Sequence, residues 1–312
     1  SFPILRSSYL ILTFVLFVGL VYLLIRSRLN NLIKAKLKLE TKVAEKTQQL
    51  QEEKLQLEQV KLMLEEKDKD ITDSINYAKK IQEALLPTKD SLMKFFPKTF
   101  VFYKPRDIVS GDFFWFSETK DYFIVAVVDC TGYGIPGAFM SLIGSTLINE
   151  IIYNKKINTP SKILLELDKD IVQALRQDGN SHSSRDGMDV TICAINKAKT
   201  KMIYSSAGRP LYFVRNRELQ EINLRTLPVG GSYPGMTKQY SDVDIDLHSG
   251  DMFYFFSDGF ADQFDQSNEK KFSTKRLKQL FLKIAEMDAA KQFEEVDTTF
   301  NDWKGNQNQI DD

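Results

Sequence analysis

The sequence predicts an α/β sandwich carried at the end of a long helix whose first part spans a membrane. Three observations lead there: an uncharged apolar run near the N-terminus, a charged stretch without proline or glycine that repeats every seven residues, and short β-branched and aromatic runs separated by turns and helices. The chain of 312 residues, 27% charged and 43% apolar, has room for one or two domains with a real core, which excludes disordered, collagen-like and disulfide-stapled classes. Lys plus Arg equals Asp plus Glu at 42 each, so the basic excess of a general nucleic-acid binder is missing. Cys130 and Cys193 are the only cysteines, the second inside an apolar run, a usage suited to a reducing compartment. A chain that begins at Ser1 and ends on Asp311 and Asp312 after a polar stretch reads as a fragment cut at both ends.

From Ser7 to Ile25 nineteen residues carry no charge, and a helix of that length reaches about 30 Å, the thickness of a bilayer core. Residues 1–28 are therefore expected to be a transmembrane helix with short flanks. The alternatives are a core helix or a cleaved signal, but no A-x-A pattern follows the run. Arg26, Arg28, Lys34, Lys36 and Lys38 follow it while only Arg6 precedes it, which puts the remainder in the cytoplasm of a single-pass membrane protein.

Residues 29–86 are rich in Lys, Glu, Gln and Leu, good helix formers. One apolar column runs through Leu29, Val43, Leu50, Leu57, Leu64, Ile71, Ala78 and Leu85, broken only by Lys36. A second, through Leu32, Leu39, Val60 and Ile81, is weakened by Lys46, Glu53, Lys67 and Ser74. An imperfect coiled coil is expected, most simply a parallel homodimer. The alternative is one solvated helix held by charge pairs.

Pro87 ends the helix, and residues 87–312 form the globular part. Strands are expected near 99–105, 113–116, 122–129, 190–195, 201–205, 211–214 and 251–258. Helices are expected from Pro136 to about Tyr153, from about Ser161 to Gln177, over Thr274–Met287 and near Ala289–Trp303. Strands, a helical pair, more strands and then helices make an α/β sandwich pattern, not repeated βαβ units.

The chemistry is expected at aspartates on strand edges. Asp112 stands before a strand in SGDFF, Asp129 ends YFIVAVVD, and Asp258 ends MFYFFSD ahead of Gly259. Carboxylates held where a rigid strand meets a glycine-containing loop can converge on a hard divalent cation, with Asp311 or Asp312 supplying the fourth. Taken singly, each is also an ordinary turn signal. DCTGYGIPG does not match a nucleotide-binding loop, having neither its spacing nor its lysine.

The stretches YKPRDIVSGDFFWF, AVVDCTGYGIPGAFMSLIG, DGMDVTICAI, RPLYFV, FFSDGFADQF and WKGNQNQIDD span nearly all of the globular part. In that order they resemble the bacterial sporulation-phosphatase (SpoIIE-like) branch of the metal-dependent PPM, or PP2C-type, serine/threonine protein phosphatases, in particular membrane-anchored sensor forms. The resemblance implies a four-layer α-β-β-α sandwich with two Mn²⁺ or Mg²⁺ ions at one end. It implies Asp129 and Asp258 as principal ligands, the Cys130 backbone beside the first metal, and Asp112 and Asp311 completing the pair. Two ions would activate a water that attacks phosphorus directly, without a covalent phosphoenzyme. Cys130 lacks a C-x5-R loop, since position 136 is Pro136, and is read as structural. Arg106 is expected to contact phosphate, with a surface salt bridge as its alternative. Asp186 and Asp189 either border the cleft or serve as turn and cap residues. The resemblance further implies a phosphorylated regulatory partner, such as an anti-sigma-factor antagonist.

Two departures from the family pattern stand out. Tyr133 occupies the place of a usual histidine, and with an ordinary pKa near 10 it is a poorer proton carrier. His182 and His248 are not motif-supported replacements, so the leaving-group acid is unassigned. Nothing follows Asp312, so the domain is expected to lack its final strand and Asp311 to sit at a frayed end. A histidine kinase is disfavoured because no histidine precedes His182, and SGDFF is not a GGDEF-like loop. The competing reading is a pseudophosphatase acting as a membrane-tethered scaffold.

Overall fold

A computed structural model describes residues 3–177, 186–231, 233 and 236–312. The chain divides into two compact units, Ser1–Ile71 and Thr72–Asp312. Among its described residues the first is helix throughout. Helix α1 runs unbroken over Pro3–Leu85, as the absence of helix breakers between Leu20 and Leu86 predicts. Ion pairs of i,i+4 spacing, Lys36–Glu40 and Lys61–Glu65, lie along it. Its apolar column is exposed, with Leu50 at 64% and Leu57 at 70%. The second unit takes in the last turns of α1, so it starts earlier in the chain than the expected limit at Leu86.

In that unit α2 (Lys89–Met93) starts on Thr88, whose hydroxyl caps it. Strands β1 (Phe113–Glu118) and β2 (Tyr122–Cys130) form a hairpin. Helix α3 (Gly134–Asn149) continues into a π-helical turn, Glu150–Asn154, and α4 (Pro160–Ala174) follows. Next come β3 (Gly187–Asn196), β4 (Lys201–Ala207), β5 (Leu211–Arg215), β6 (Glu218–Ile222), β7 (Val229–Gly230), β8 (Val243–Asp246) and β9 (Met252–Tyr254). Three helices close the chain: α5 (Gly259–Asp262), α6 (Ser273–Ile284) and α7 (Ala289–Lys304). The first sheet runs β1-β2-β3-β4-β8 with β7 also on β3, the second β6-β5-β9, and every pairing is antiparallel.

Alternation along β2 sets the layers. Ile124, Ala126 and Val128 are fully buried against Ile148 of α3 and Ile163, Leu164 and Leu167 of α4. On the opposite face Val125 packs with Cys193, Met202 and Phe253 between the sheets. The second sheet presents Tyr212, Val214 and Tyr254 to Leu277, Phe281 and Ile284 of α6 and Val296 of α7. The result is an α/β sandwich of antiparallel sheets flanked by helices, as the order of elements implies.

One expected strand is absent. Residues 99–105 form no ladder; Phe100 and Phe102 instead pack into the α6–α7 cluster, and Lys104 bonds Asp297 at 2.6 Å. Aromatic content there serves as an anchor, not as a strand signal. Conversely, β6 and β8 are mostly polar edge segments without a continuous apolar run, and sequence reading passed them over.

Three glycines let the segments around the acidic residues pass close together. A Cβ on Gly137, in the first turn of α3, would collide with the Gly132 carbonyl and touch Gly111 Cα at 3.0 Å. Gly137→Ala is expected to destabilise the chain by about 1–3 kcal/mol, measured by thermal unfolding; an unchanged melting temperature would show that these segments have room to part.

Candidate functional site

The cleft originates in strand register. Asp129, near the end of β2, pairs directly with Asp189 of β3, and like charges placed opposite one another on a sheet repel. The β4–β5 turn brings a cation to them, because β4 ends with Ala207 opposite Val190 and Arg209 follows two residues later. Arg209 Nη2 lies 2.5 Å from Asp129 Oδ2 and 2.6 Å from Asp258 Oδ2. Its Nε is 3.2 Å from Asp189 Oδ2, a charge contact without hydrogen-bond alignment. Asp258 itself stands at the start of α5. Gly208 has φ +87°, and a Cβ there would run into the Asp189 carboxylate, so the turn requires glycine.

Asp112 is buried just ahead of β1, and its N–H donates to Ser110 Oγ at 3.0 Å. Gln82, near the end of α1 and only 4% exposed, anchors the same loop. Its side-chain NH₂ donates to the Ser110 carbonyl at 2.6 Å and to Ser141 Oγ on α3 at 2.7 Å, and its Oε1 accepts from Ser110 N at 3.3 Å. The last two residues are held, contrary to the expected frayed end. Asp312 accepts from the backbone N–H groups of Arg106 and Gly111, both at 2.7 Å, and Asp311 accepts from the Tyr133 hydroxyl at 3.3 Å.

Arg106 stacks its guanidinium on Tyr133 at 4.4 Å and donates from Nη1 to the Ile310 carbonyl at 3.1 Å. Cys130 and Cys193 are buried free thiols. Burial, aided by Asp112 and Asp129, pushes the Cys130 thiol up, consistent with a structural role. Asp189 lies in the cleft, whereas Asp186 is 3.4 Å from Thr131 Oγ1. His248 donates its backbone N–H to Asp251, and His182 lies outside the described residues. Sequence reading missed Arg209 and Gln82, and named Asp312 only as a possible fourth carboxylate, not as the tie to Arg106 and Gly111. A signal for Arg209 was present: a basic residue in a Gly-Arg-Pro turn between two strands.

Electrostatics follow from crowding. Burial first, then Asp129, raises Asp112 to about 9. Burial raises Asp129 to about 7, opposed by Arg209 and reinforced by Asp258 and Asp189. Asp189 and Asp311 are raised too, chiefly by burial. Burial works against the charge of Arg209, but Asp129 and Asp258 outweigh it and hold its proton more firmly. Tyr133 is raised by Asp311, so its hydroxyl stays protonated at neutral pH. A set of buried oxygen donors with excess negative charge has the chemistry of a site for a hard divalent ion. Among the described residues, however, no three His, Cys, Asp or Glu side chains already meet as a ligand group. Asp129 and Asp258 converge on Arg209 instead.

Fold and layers together define a PP2C-type α/β sandwich. Residues 119–312 match the family described as Stage II sporulation protein E (SpoIIE), and the chain belongs to that family. It is 28% identical over 199 residues to the phosphoserine phosphatase RsbU of Bacillus subtilis (strain 168), covering 62% of this chain and 55% of RsbU. The chain thus spans about half the length of that curated relative. The SiaA-PP2C domain of Pseudomonas aeruginosa aligns with a TM-score of 0.70 at 28% identity, over 78% of this chain and 94% of that domain. The PP2C phosphatase domain with a regulatory fragment of SpoIIE from Bacillus subtilis gives 0.50 at 16%, covering 65% and 55%, a likeness of fold.

Raised carboxyl groups make the folded state bind more protons than the unfolded one, so stability falls as pH rises from the ordinary carboxylate range through about 7 and 9. Without added divalent ion, the melting temperature is expected to be lower at pH 8 than at pH 5.5. A higher value at pH 8 would show that these acids are not crowded in the folded chain.

Proposed function

We propose that the chain is a metal-dependent serine/threonine protein phosphatase that acts on a phosphorylated regulatory protein, possessing a membrane anchor and a coiled-coil input helix. The observation that carries this reading is the gathering of Asp112, Asp129, Asp258 and Asp311 around one cleft of a SpoIIE-family sandwich. The phosphoserine specificity named for RsbU supports the substrate class. Asp129 and Asp258, with Asp112, Asp311 and the Cys130 carbonyl, are the residues that would hold Mn²⁺ or Mg²⁺. Bound there, divalent ions supply Lewis acidity to an in-line displacement at phosphorus.

The chain's own groups do the rest. Arg106 is about one-third exposed and lies 3.8 Å from Asp107, the surface ion pair expected as its alternative, while its planar donors would suit two phosphate oxygens. Tyr133 positions Asp311 through its hydroxyl and remains a donor, not a proton carrier. Cys130, buried and held as the thiol, stays out of the chemistry.

Residues 1–28 are assigned as the membrane span: the N-terminal helix contains a window of mean hydropathy 2.3 that is not buried. Helix Gly134–Asn154 is also long and apolar enough, but half of its apolar window is buried in the sandwich, the mark of a core helix. Residues 29–86 are assigned to a parallel homodimer through the exposed column of Leu50, Leu57 and Leu64. Residues 87–312 are assigned as the phosphatase domain. An apolar cavity of about 600 Å³ in this domain is lined by residues of both sheets, among them Val125 and Phe253. Among the described residues, β1 pairs only with β2 and β9 only with β5.

In the full chain, Asp129→Asn and Asp258→Asn are each expected to lower Mn²⁺-dependent phosphate release from a phosphoserine peptide by about 100-fold or more. Full activity in both variants would defeat the site assignment, and no activity in the parent chain would favour the scaffold reading. Gln82→Ala leaves buried Ser110 groups short of partners, at a cost of about 1–3 kcal/mol. It is expected to raise the Mn²⁺ concentration needed for half-maximal turnover; an unchanged requirement would detach α1 from the cleft.

A further inference from the structure

We propose, resting on the phosphatase reading above, that Arg209 is a resident counter-cation of the cleft. Its guanidinium holds carboxylate oxygens that a divalent ion needs, so metal loads by displacing Arg209 and this residue sets the affinity of the cleft for metal.

The register brings two like charges together, which favours a cation between them. Asp129 and Asp189 face each other across β2 and β3, and Asp258 enters from beyond β9. Arg209 is within ion-pair distance of all three. The contacts use the Oδ2 atom of each carboxylate, and one nitrogen, Nη2, is shared between Asp129 and Asp258. An Oδ2 engaged that closely by an N–H group is blocked on that side, so an ion that ligates through these Oδ2 atoms takes the place of the guanidinium. The guanidinium brings one positive charge to three carboxylates, so a dication remains the better counter-charge once the arginine has moved aside.

The backbone fixes where this must happen. Gly208 at positive φ and Pro210 hold the turn on either side of Arg209, so displacement falls to the flexible side chain. That side chain is 16% exposed, which leaves it a route toward solvent. Arg106 provides the contrast. It carries the same charge near the same cleft but rests on Tyr133 and the Ile310 carbonyl, not on Asp129, Asp189 or Asp258. A competitor and a merely nearby charge can therefore be told apart.

The test uses the full chain in detergent micelles, stripped with EDTA and titrated with MnCl₂ by calorimetry, with thermal unfolding of the metal-free and Mn²⁺-saturated forms. Arg209→Gln is expected to bind Mn²⁺ about tenfold or more tightly than the parent, and Arg106→Gln to differ by less than about threefold. Metal-free Arg209→Gln is expected to melt below the parent at pH 7.5, and saturating Mn²⁺ to raise its melting temperature by more than it raises the parent's. Arg209→Lys keeps the charge but cannot bridge as a planar fork, and is expected to bind more tightly than the parent; it carries the comparison if Arg209→Gln does not fold. Equal or weaker Mn²⁺ binding by the folded Arg209 variants would overturn the proposal, as would equal tightening in Arg106→Gln, which would reveal only a general field. Absence of Mn²⁺ binding in every chain, the parent included, would instead overturn the phosphatase reading on which this rests.

Discussion

The structure turns on two carboxylates that the sheet forces together. Asp129 and Asp189 are direct partners across β2 and β3 because the apolar residues on either side of them fix the register. Slipping it by one residue would turn Ile124, Ala126 and Val128 from the helical layer toward the other sheet. The repulsion thus cannot be relieved by moving the strands. A proton or a cation can answer it, and Arg209 brings the cation from the chain itself.

The rest of the cleft is arranged around that constraint. Asp258 comes from the second sheet's side, and Asp112 comes from the loop before β1. Asp312 pins the final segment to the backbone of Arg106 and Gly111. The loop bearing Asp112 is tied in turn to Gln82, so the last turns of α1 reach the acidic cluster through one buried amide and Ser110.

Much of this was legible in the sequence, for identifiable reasons. Long α1, β1 through β5 and helices α3, α4, α6 and α7 announce themselves by breaker-free composition, by alternation or by periodic apolar faces. Asp112, Asp129 and Asp258 were legible because each sits at a strand edge beside a glycine-containing loop. Residues 99–105 misled because aromatic side chains used as anchors look like those of a strand. Arg209 and Gln82 were illegible because their roles depend on distant pairings, the turn after β4 meeting the end of β2 and a helix terminus meeting the loop before β1. Local sequence holds no record of such meetings. The tie on Asp312 was hidden for the same reason, since a terminal acid gives no sign of which backbone amides it will meet.

The most direct measurement is anomalous diffraction from crystals of the full chain soaked in manganese. The account predicts anomalous density at the carboxylates of Asp129 and Asp258, with the Arg209 guanidinium withdrawn from them. Well-ordered Asp129, Asp189 and Asp258 still bridged by Arg209, with no anomalous density in the cleft, would contradict it.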